Sequence, residues 1–216
     1  MTSRLGDVPT PDQFRQALEA ALLRSMEIDN ITFSGNGEPT LHPRFNQLVD
    51  IARELRDRHF PQANLGILSN SSLVSEEKVR QALDKLDFRI MKLDAGNSDA
   101  FRRINLPSPG ITYQAIVDGL KKLEKVTLQT MFFNGRMQNV SEKEVADWIA
   151  RVGEIKPVKA QIYSLHRPPA DTFLEEVPEE KLNEIAEQTE TATGVKVEVI
   201  VAVQPYQRRY NEPFRK

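Results

Sequence analysis

Helix-period and strand-period segments alternate along nearly the whole of this 216-residue chain, and that alternation leaves few architectures open. Thr10-Pro11-Asp12-Gln13 carries a helix start, with Thr10 as cap, Pro11 in the first turn and Gln13 closing a capping box ahead of Phe14, Leu18, Leu22 and Met26. Ile31 to Ser34 is a short β-branched and aromatic run that stops at Gly35-Asn36-Gly37-Glu38-Pro39. Phe45, Leu48, Ile51, Ala52 and Leu55 then predict a helix, and Leu65 to Ser69 a strand ending in Asn70-Ser71-Ser72. A helix opened at Ser75-Glu76-Glu77-Lys78 runs through Val79, Leu83 and Leu86 into a strand over 88–93. Further helices near 112–123, from the Ser141 cap with Glu144 three residues on, and over 178–193 precede strands at 126–133, 158–164 and 195–203. The chain thus reads as roughly six helix–strand pairs.

Strict alternation with nearly continuous apolar strands predicts an α/β fold: a parallel sheet, right-handed crossovers and helices outside. A doubly wound sheet and a complete or partial barrel both satisfy the pattern, and both place a ligand site at the C-terminal ends of the strands. The length suits one domain, and no linker or low-complexity run divides residues 1–216.

Polar residues collect at those strand ends. They are Ser34 to Glu38, Ser69 and Asn70, Lys92 and Asp94, Gln129 with Met131, and Ser164 with His166. Residues two apart on a strand point the same way, so Lys92 and Asp94 share a face. Gly35 and Gly37 remove Cβ atoms where a ligand could approach, and the Glu38 carboxylate is suited to an ammonium group. Asp94 is placed to accept from vicinal hydroxyls such as those of a ribose. The same residues also admit plainer readings: a solvated Gly-Asn-Gly turn, a strand-end Lys92–Asp94 ion pair, a loop histidine at 166.

Charge and composition exclude more than they assign. The 29 basic and 31 acidic residues leave a formal −2, no field that recruits nucleic acid or membrane without a local patch. Arg208, Arg209, Arg215 and Lys216, with Tyr206 and Tyr210 interleaved, form a basic tail over 204–216 that could touch RNA and is otherwise a solvated end. No run approaches the roughly 18 apolar residues of a membrane span, and no apolar leader follows Arg4, so a cytoplasmic protein is expected. Cysteine is absent, which excludes disulfides, thiolate zinc sites, cysteine nucleophiles and any iron–sulfur cluster held by these residues' own thiolates.

Residues 31–43, ITFSGNGEPTLHP, resemble the second-strand segment of the radical S-adenosylmethionine superfamily, where a Gly-Gly-Glu-type loop holds the methionine amino group. LGILSNSSL (65–73) is similar to that family's third strand and MKLDAGN (91–97) to its fourth, the ribose-contacting one. INLP (104–107), ITYQAIVDGLKKL (111–123) and AQIYSLHRPPAD (160–171) resemble the branch of wyosine-type tRNA-modifying enzymes and their bacterial relatives. The resemblance implies a partial (βα)6 barrel with outer helices, open on one side for substrate. By position it implies Gly35, Asn36, Gly37 and Glu38 on the methionyl end of S-adenosylmethionine, Ser69, Asn70, Lys92 and Asp94 on ribose or carboxylate, and 161–165 along the adenine. Gln129 and Ser164 join them as candidate cofactor contacts, while no catalytic residue and no metal ligand is assigned. Asn36 stands where a second glycine or serine is usual.

One family feature is missing. Members carry a first strand ending in Cys-x3-Cys-x2-Cys, whose thiolates hold a [4Fe–4S] cluster, and here nine residues precede the first helix. The chain reads as a member whose first strand has been removed, by an engineered boundary, a misplaced start codon or a genuine truncation. In the intact pattern an electron donor feeds the cluster and a 5′-deoxyadenosyl radical abstracts a substrate hydrogen; as written this chain is expected not to initiate that chemistry. RNA and protein are candidate substrates, and the sequence does not choose the substrate. The alternatives are a cluster-free, degenerate barrel that binds protein or RNA, and an acid/base enzyme using Glu38 and Asp94.

Overall fold

The computed structural model describes residues 8–35, 37–165 and 173–201. Helix α1 (Pro11–Leu22) starts on the expected capping box, with Thr10 Oγ1 accepting from Gln13 N at 3.2 Å and Gln13 Oε1 from Thr10 N at 2.8 Å. It ends four residues short of Met26, whose side chain stands 99% exposed instead of extending the apolar stripe. There follow β1 (Asn30–Phe33), α2 (Phe45–His59), β2 (Asn64–Ser69), α3 (Glu77–Leu83), β3 (Phe88–Lys92), α4 (Ser98–Asn105) and α5 (Tyr113–Leu120). The chain continues through β4 (Val126–Met131), β5 (Asn134–Gly135), α6 (Glu142–Ile155), β6 (Lys159–Tyr163), β7 (Leu174–Glu175), α7 (Glu179–Thr193) and β8 (Val197–Ile200).

Strands β1, β2, β3, β4, β6 and β8 form one parallel sheet in that order, so neighbours in sequence are neighbours in space. A doubly wound sheet needs a point where strand order reverses, and this sheet has none. With crossovers of one hand, every helix falls on the same face. The packing of α1 on α2, α2 on α3, α4 on α5, α5 on α6 and α6 on α7 traces that outer layer. The result is a partial barrel, its two edge strands β1 and β8 unpaired with each other. Among the described residues no strand precedes α1, and no helix is long and apolar enough to cross a membrane.

Alternation along the strands divides the sheet into two surfaces. Leu65, Ile67, Met91, Leu128, Ala160, Ile162 and Val197 face the helices in one buried cluster. A fully buried Leu or Ile there contributes roughly 1.5–3 kcal/mol. Thr32, Leu68, Ile90, Lys92, Gln129, Gln161, Tyr163 and Glu198 take the alternate positions on the open face.

Three elements depart from the sequence reading. Helix α4 was not expected, because Ala100, Phe101 and Ile104 make too short an apolar stripe; the Asn97 side chain caps it by accepting from Ala100 N at 2.8 Å. Strand β4 leaves the ladder at Met131 although Phe132 and Phe133 are buried, since Phe133 N donates to the Asn139 side chain. The short antiparallel pair β5–β7 has no period to betray it. The basic tail and His166 lie outside the described residues.

Candidate functional site

A cleft of about 310 Å³ opens at the C-terminal ends of β1 to β4, lined by Ser34, Gly35, Gly37, Glu38, Leu68, Ser69, Asn70, Lys92 and Gln129. Seven of the ten residues singled out from sequence are therefore in its wall. Of the other three, Asn36 lies outside the described residues, Asp94 sits directly behind Lys92, and Ser164 is elsewhere. Ser164 Oγ is buried, donating to Phe132 O at 2.9 Å and accepting from Val177 N at 2.8 Å, so its hydroxyl ties strand ends together.

Glu38 is held by its own surroundings. It caps the 3-10 turn Pro39–Leu41, and its Oε1 accepts from Thr40 N (3.1 Å), Thr40 Oγ1 (2.6 Å) and Ser69 Oγ (2.8 Å). Its Oε2 accepts from Asn70 N at 2.6 Å and from nothing else among the described residues. A carboxylate offers about four acceptor positions, and Oε1 already carries three donors, so Oε2 has the remaining capacity to take an ammonium from the cleft. The Asn70 amide reaches Glu38 because Ser71 turns the chain in the left-handed region, φ +66°, a conformation costly for a non-glycine residue. Ser71 holds it through Ser69 Oγ, which accepts from Ser71 N at 3.1 Å, and through its own hydroxyl, which donates to Lys92 O at 2.8 Å.

Lys92 brings a cation to the same cleft. Its Nζ donates to Tyr163 Oη at 3.0 Å, lies 3.3 Å from Asp94 Oδ1 and sits over the Tyr163 ring. Burial pushes the Lys92 ammonium toward losing its proton, but the Asp94 carboxylate and the Tyr163 oxygen outweigh this and hold its pKa above the usual lysine value. Asp94 Oδ1 also accepts from Met131 N at 2.9 Å. The sequence-level ion pair is thus present, and it is part of a larger arrangement. At the level of Lys92 a polar row crosses the open face: Gln129 Nε2 donates to Gln161 Oε1 at 3.3 Å, and Gln161 Nε2 to Glu198 Oε2 at 3.1 Å. Lys159 also donates to Glu198, and these contacts keep its carboxyl below the usual range, Lys159 first and Gln161 second.

The donor set fits the amino-acid end of S-adenosylmethionine. A carboxylate with a spare lone pair and a retained ammonium share one cleft, and a Cβ added at Gly35 or Gly37 would meet nothing within 4 Å, so that wall is open. The residues do not fit a [4Fe–4S] cluster: the sequence has no cysteine, and the described residues hold no group of three or more His, Asp or Glu able to bind a metal.

Comparison with known proteins bears on the fold and the family. The Radical SAM superfamily profile matches residues 2–152. A Brachyspira hyodysenteriae protein named GTPase Obg is 29% identical over 191 residues, 87% of this chain and 27% of its own length. A UPF0026 protein of Synechocystis sp. is 29% identical over 166 residues, 74% of this chain and 58% of its own. The chain therefore spans about a quarter to a little over half of these relatives. Among solved structures, TYW1 with a lysine-pyruvate adduct bound superposes with a TM-score of 0.70 at 14% identity, over 89% of this chain and 66% of that one, a likeness of fold. With more than half of its length matched by the superfamily profile, and with the partial barrel that the match implies, this chain belongs to the radical SAM superfamily.

Proposed function

We propose that these residues form the S-adenosylmethionine-binding barrel of a cytoplasmic radical SAM oxidoreductase. Glu38 takes the methionyl ammonium, with Gly35, Asn36 and Gly37 leaving room beside it. Lys92 takes the carboxylate, while Ser69, Asn70, Asp94 and Gln129 serve the carboxylate and ribose, and Ser164 keeps the neighbouring strand ends in place. The observation that carries this reading is the pairing, across one cleft, of a Glu38 oxygen with spare acceptor capacity and the charged Lys92. Such a pair matches a zwitterion and would repel neither of its ends. When bound in superfamily members that also hold a cluster, the cofactor supplies hydrogen-abstracting chemistry. Lacking thiolates, these 216 residues would position that cofactor and shelter it, with iron ligands and the electron coming from elsewhere. An RNA or protein substrate fits the open side of the barrel.

The absence of cysteine favours one other reading, a degenerate barrel that docks protein or RNA and binds no cofactor. Calorimetric titration of the chain with S-adenosylmethionine separates the two. Binding weakened about tenfold or more in Glu38→Gln and in Asp94→Asn is expected, since each charged contact is worth about 1.5–3 kcal/mol. Equal heats from all three proteins would favour the docking module.

A further inference from the structure

The run from Lys92 to Ala95 carries two of the candidate contacts, and each of its four carbonyls is taken by a side chain from another part of the molecule. Lys92 O accepts from Ser71 Oγ at 2.8 Å. Leu93 O accepts from Thr130 Oγ1 at 2.8 Å and from Trp148 Nε1 at 3.2 Å. Asp94 O accepts from Asn139 Nδ2 at 2.9 Å, and Ala95 O from Tyr113 Oη at 3.1 Å. Side-chain bonds of this kind fix a loop where no ladder can.

Asn139 differs from the others because it grips both sides of the Asp94 anchor. Its Nδ2 donates also to Met131 O at 2.9 Å, and its Oδ1 accepts from Phe133 N at 2.9 Å. Met131 N in turn is the donor that holds Asp94 Oδ1. The Asn139 residue is 2% exposed, so its amide is spent entirely inside the protein, on the two segments that meet at Asp94. Asp94 Oδ1 is thereby occupied by Met131 N and Lys92, while Oδ2 has no partner among the described residues and is not sealed from solvent.

We propose that Asn139 is a positioning residue for the nucleoside end of the cleft: by clamping Asp94 O to the Met131–Phe133 backbone it fixes the Asp94 carboxylate with Oδ2 left for a vicinal diol. This rests on the cofactor reading above. It predicts a response that loss of packing alone would not give. Asn139→Asp keeps an acceptor for Phe133 N but sets a second oxygen against two carbonyls, and protonation of that carboxyl restores one donor.

The full chain is titrated with S-adenosylmethionine at about pH 5 and about pH 8, respectively near and above the range where a buried aspartate regains its proton. Asn139→Asp is expected to bind at least about tenfold more weakly than wild type at the higher pH and to recover most of the difference at the lower, whereas Asn139→Ala stays weak at both. Val152→Ala, a cavity on the buried face of α6 one turn beyond Trp148, serves as a control of comparable lost melting temperature and is expected to keep wild-type affinity. Hydrogen exchange of the Met131 amide, read without ligand, is expected to quicken in Asn139→Asp at the higher pH only. Wild-type affinity at both pH values, or a loss shared by Val152→Ala, would overturn the positioning role, as would unchanged Met131 protection. A wild-type chain inert to S-adenosylmethionine would instead overturn the cofactor reading on which the role depends.

Discussion

Glu38 Oε2 and the backbone nitrogen of Asn70 stand 2.6 Å apart, so the loop after β1 and the turn after β2 are joined by a side chain beyond the last ladder bond. The same carboxylate takes Ser69 Oγ and both polar groups of Thr40. It is therefore part of the fold as well as of the cleft. Glu38→Gln puts an N–H against at least one of these donors, at a cost of about 1–3 kcal/mol. A melting temperature lower by roughly 3–10 °C is expected by calorimetry, on the scale usual for a domain of this size. An unchanged melt would mean the four bonds contribute nothing net.

Gly96 follows the Lys92–Ala95 run and lies against the backbone of α6. A Cβ there would fall 2.2 Å from Trp148 N and 2.4 Å from Asp147 C, atoms that cannot turn aside. Gly96→Ala is expected to cost about 3 kcal/mol, at the upper end for overpacking, and to lower the urea midpoint accordingly. A midpoint equal to wild type would show that α6 can withdraw without penalty.

The layering of helices on a parallel sheet is legible because each strand presents apolar residues to the helices at alternate positions and each helix repeats at its own period. The order of strands is not: both a doubly wound sheet and a barrel produce the same local signal, and only the sequential pairing of β1, β2, β3, β4, β6 and β8 decides between them. Glu38, Ser69, Asn70, Lys92 and Gln129 converge for a reason open to sequence, since parallel strands end on one side of the sheet. Ser164 ends a strand too, yet its hydroxyl turns to Phe132 O and Val177 N, a choice set by the neighbouring backbone. Ser71 reads as a turn residue and Tyr163 as part of an adenine-side run; their bonds to Lys92 O and Lys92 Nζ join positions 21 and 71 apart. Asn139 belongs to no periodic pattern, and its partner Asp94 is 45 residues away. Such contacts leave no trace in spacing.

Lys125 enters β4 with φ +51°, exposed and in the left-handed region. A side chain there costs roughly 1–2 kcal/mol, and glycine removes that cost while adding about 0.4–1 kcal/mol of unfolded-chain entropy. Lys125→Gly is expected to raise stability by about 0.5–1 kcal/mol, a shift of roughly 1–4 °C upward in the melt. A lower melting temperature would show that the lysine stem contributes packing that its exposure conceals.

Asp87 holds the base of β2 to α2: its Oδ2 accepts from Leu65 N and from Arg56 Nη1, each at 2.7 Å, and Arg56 also donates to Ala63 O. Burial alone would raise the Asp87 pKa, but the Leu65 N–H and the Arg56 guanidinium more than offset it, and the carboxyl is held below the usual aspartate value. A group depressed in the folded state stabilises the protein above its unfolded pKa of about 3.9 and loses that contribution as pH falls through the folded value. Asp87→Asn offers Arg56 an amide in place of a charge at every pH. The variant is expected to lie about 1–3 kcal/mol below wild type in urea titration near neutrality. As the pH falls below about 3.9 and on through the lower folded-state value, that gap is expected to narrow, because wild-type Asp87 then takes up its proton. The other depressed carboxyls titrate in both proteins alike, so the difference isolates this one. A gap that stays constant from neutrality to acid would mean that the Asp87 charge contributes nothing and that its bond to Leu65 N survives equally well without it.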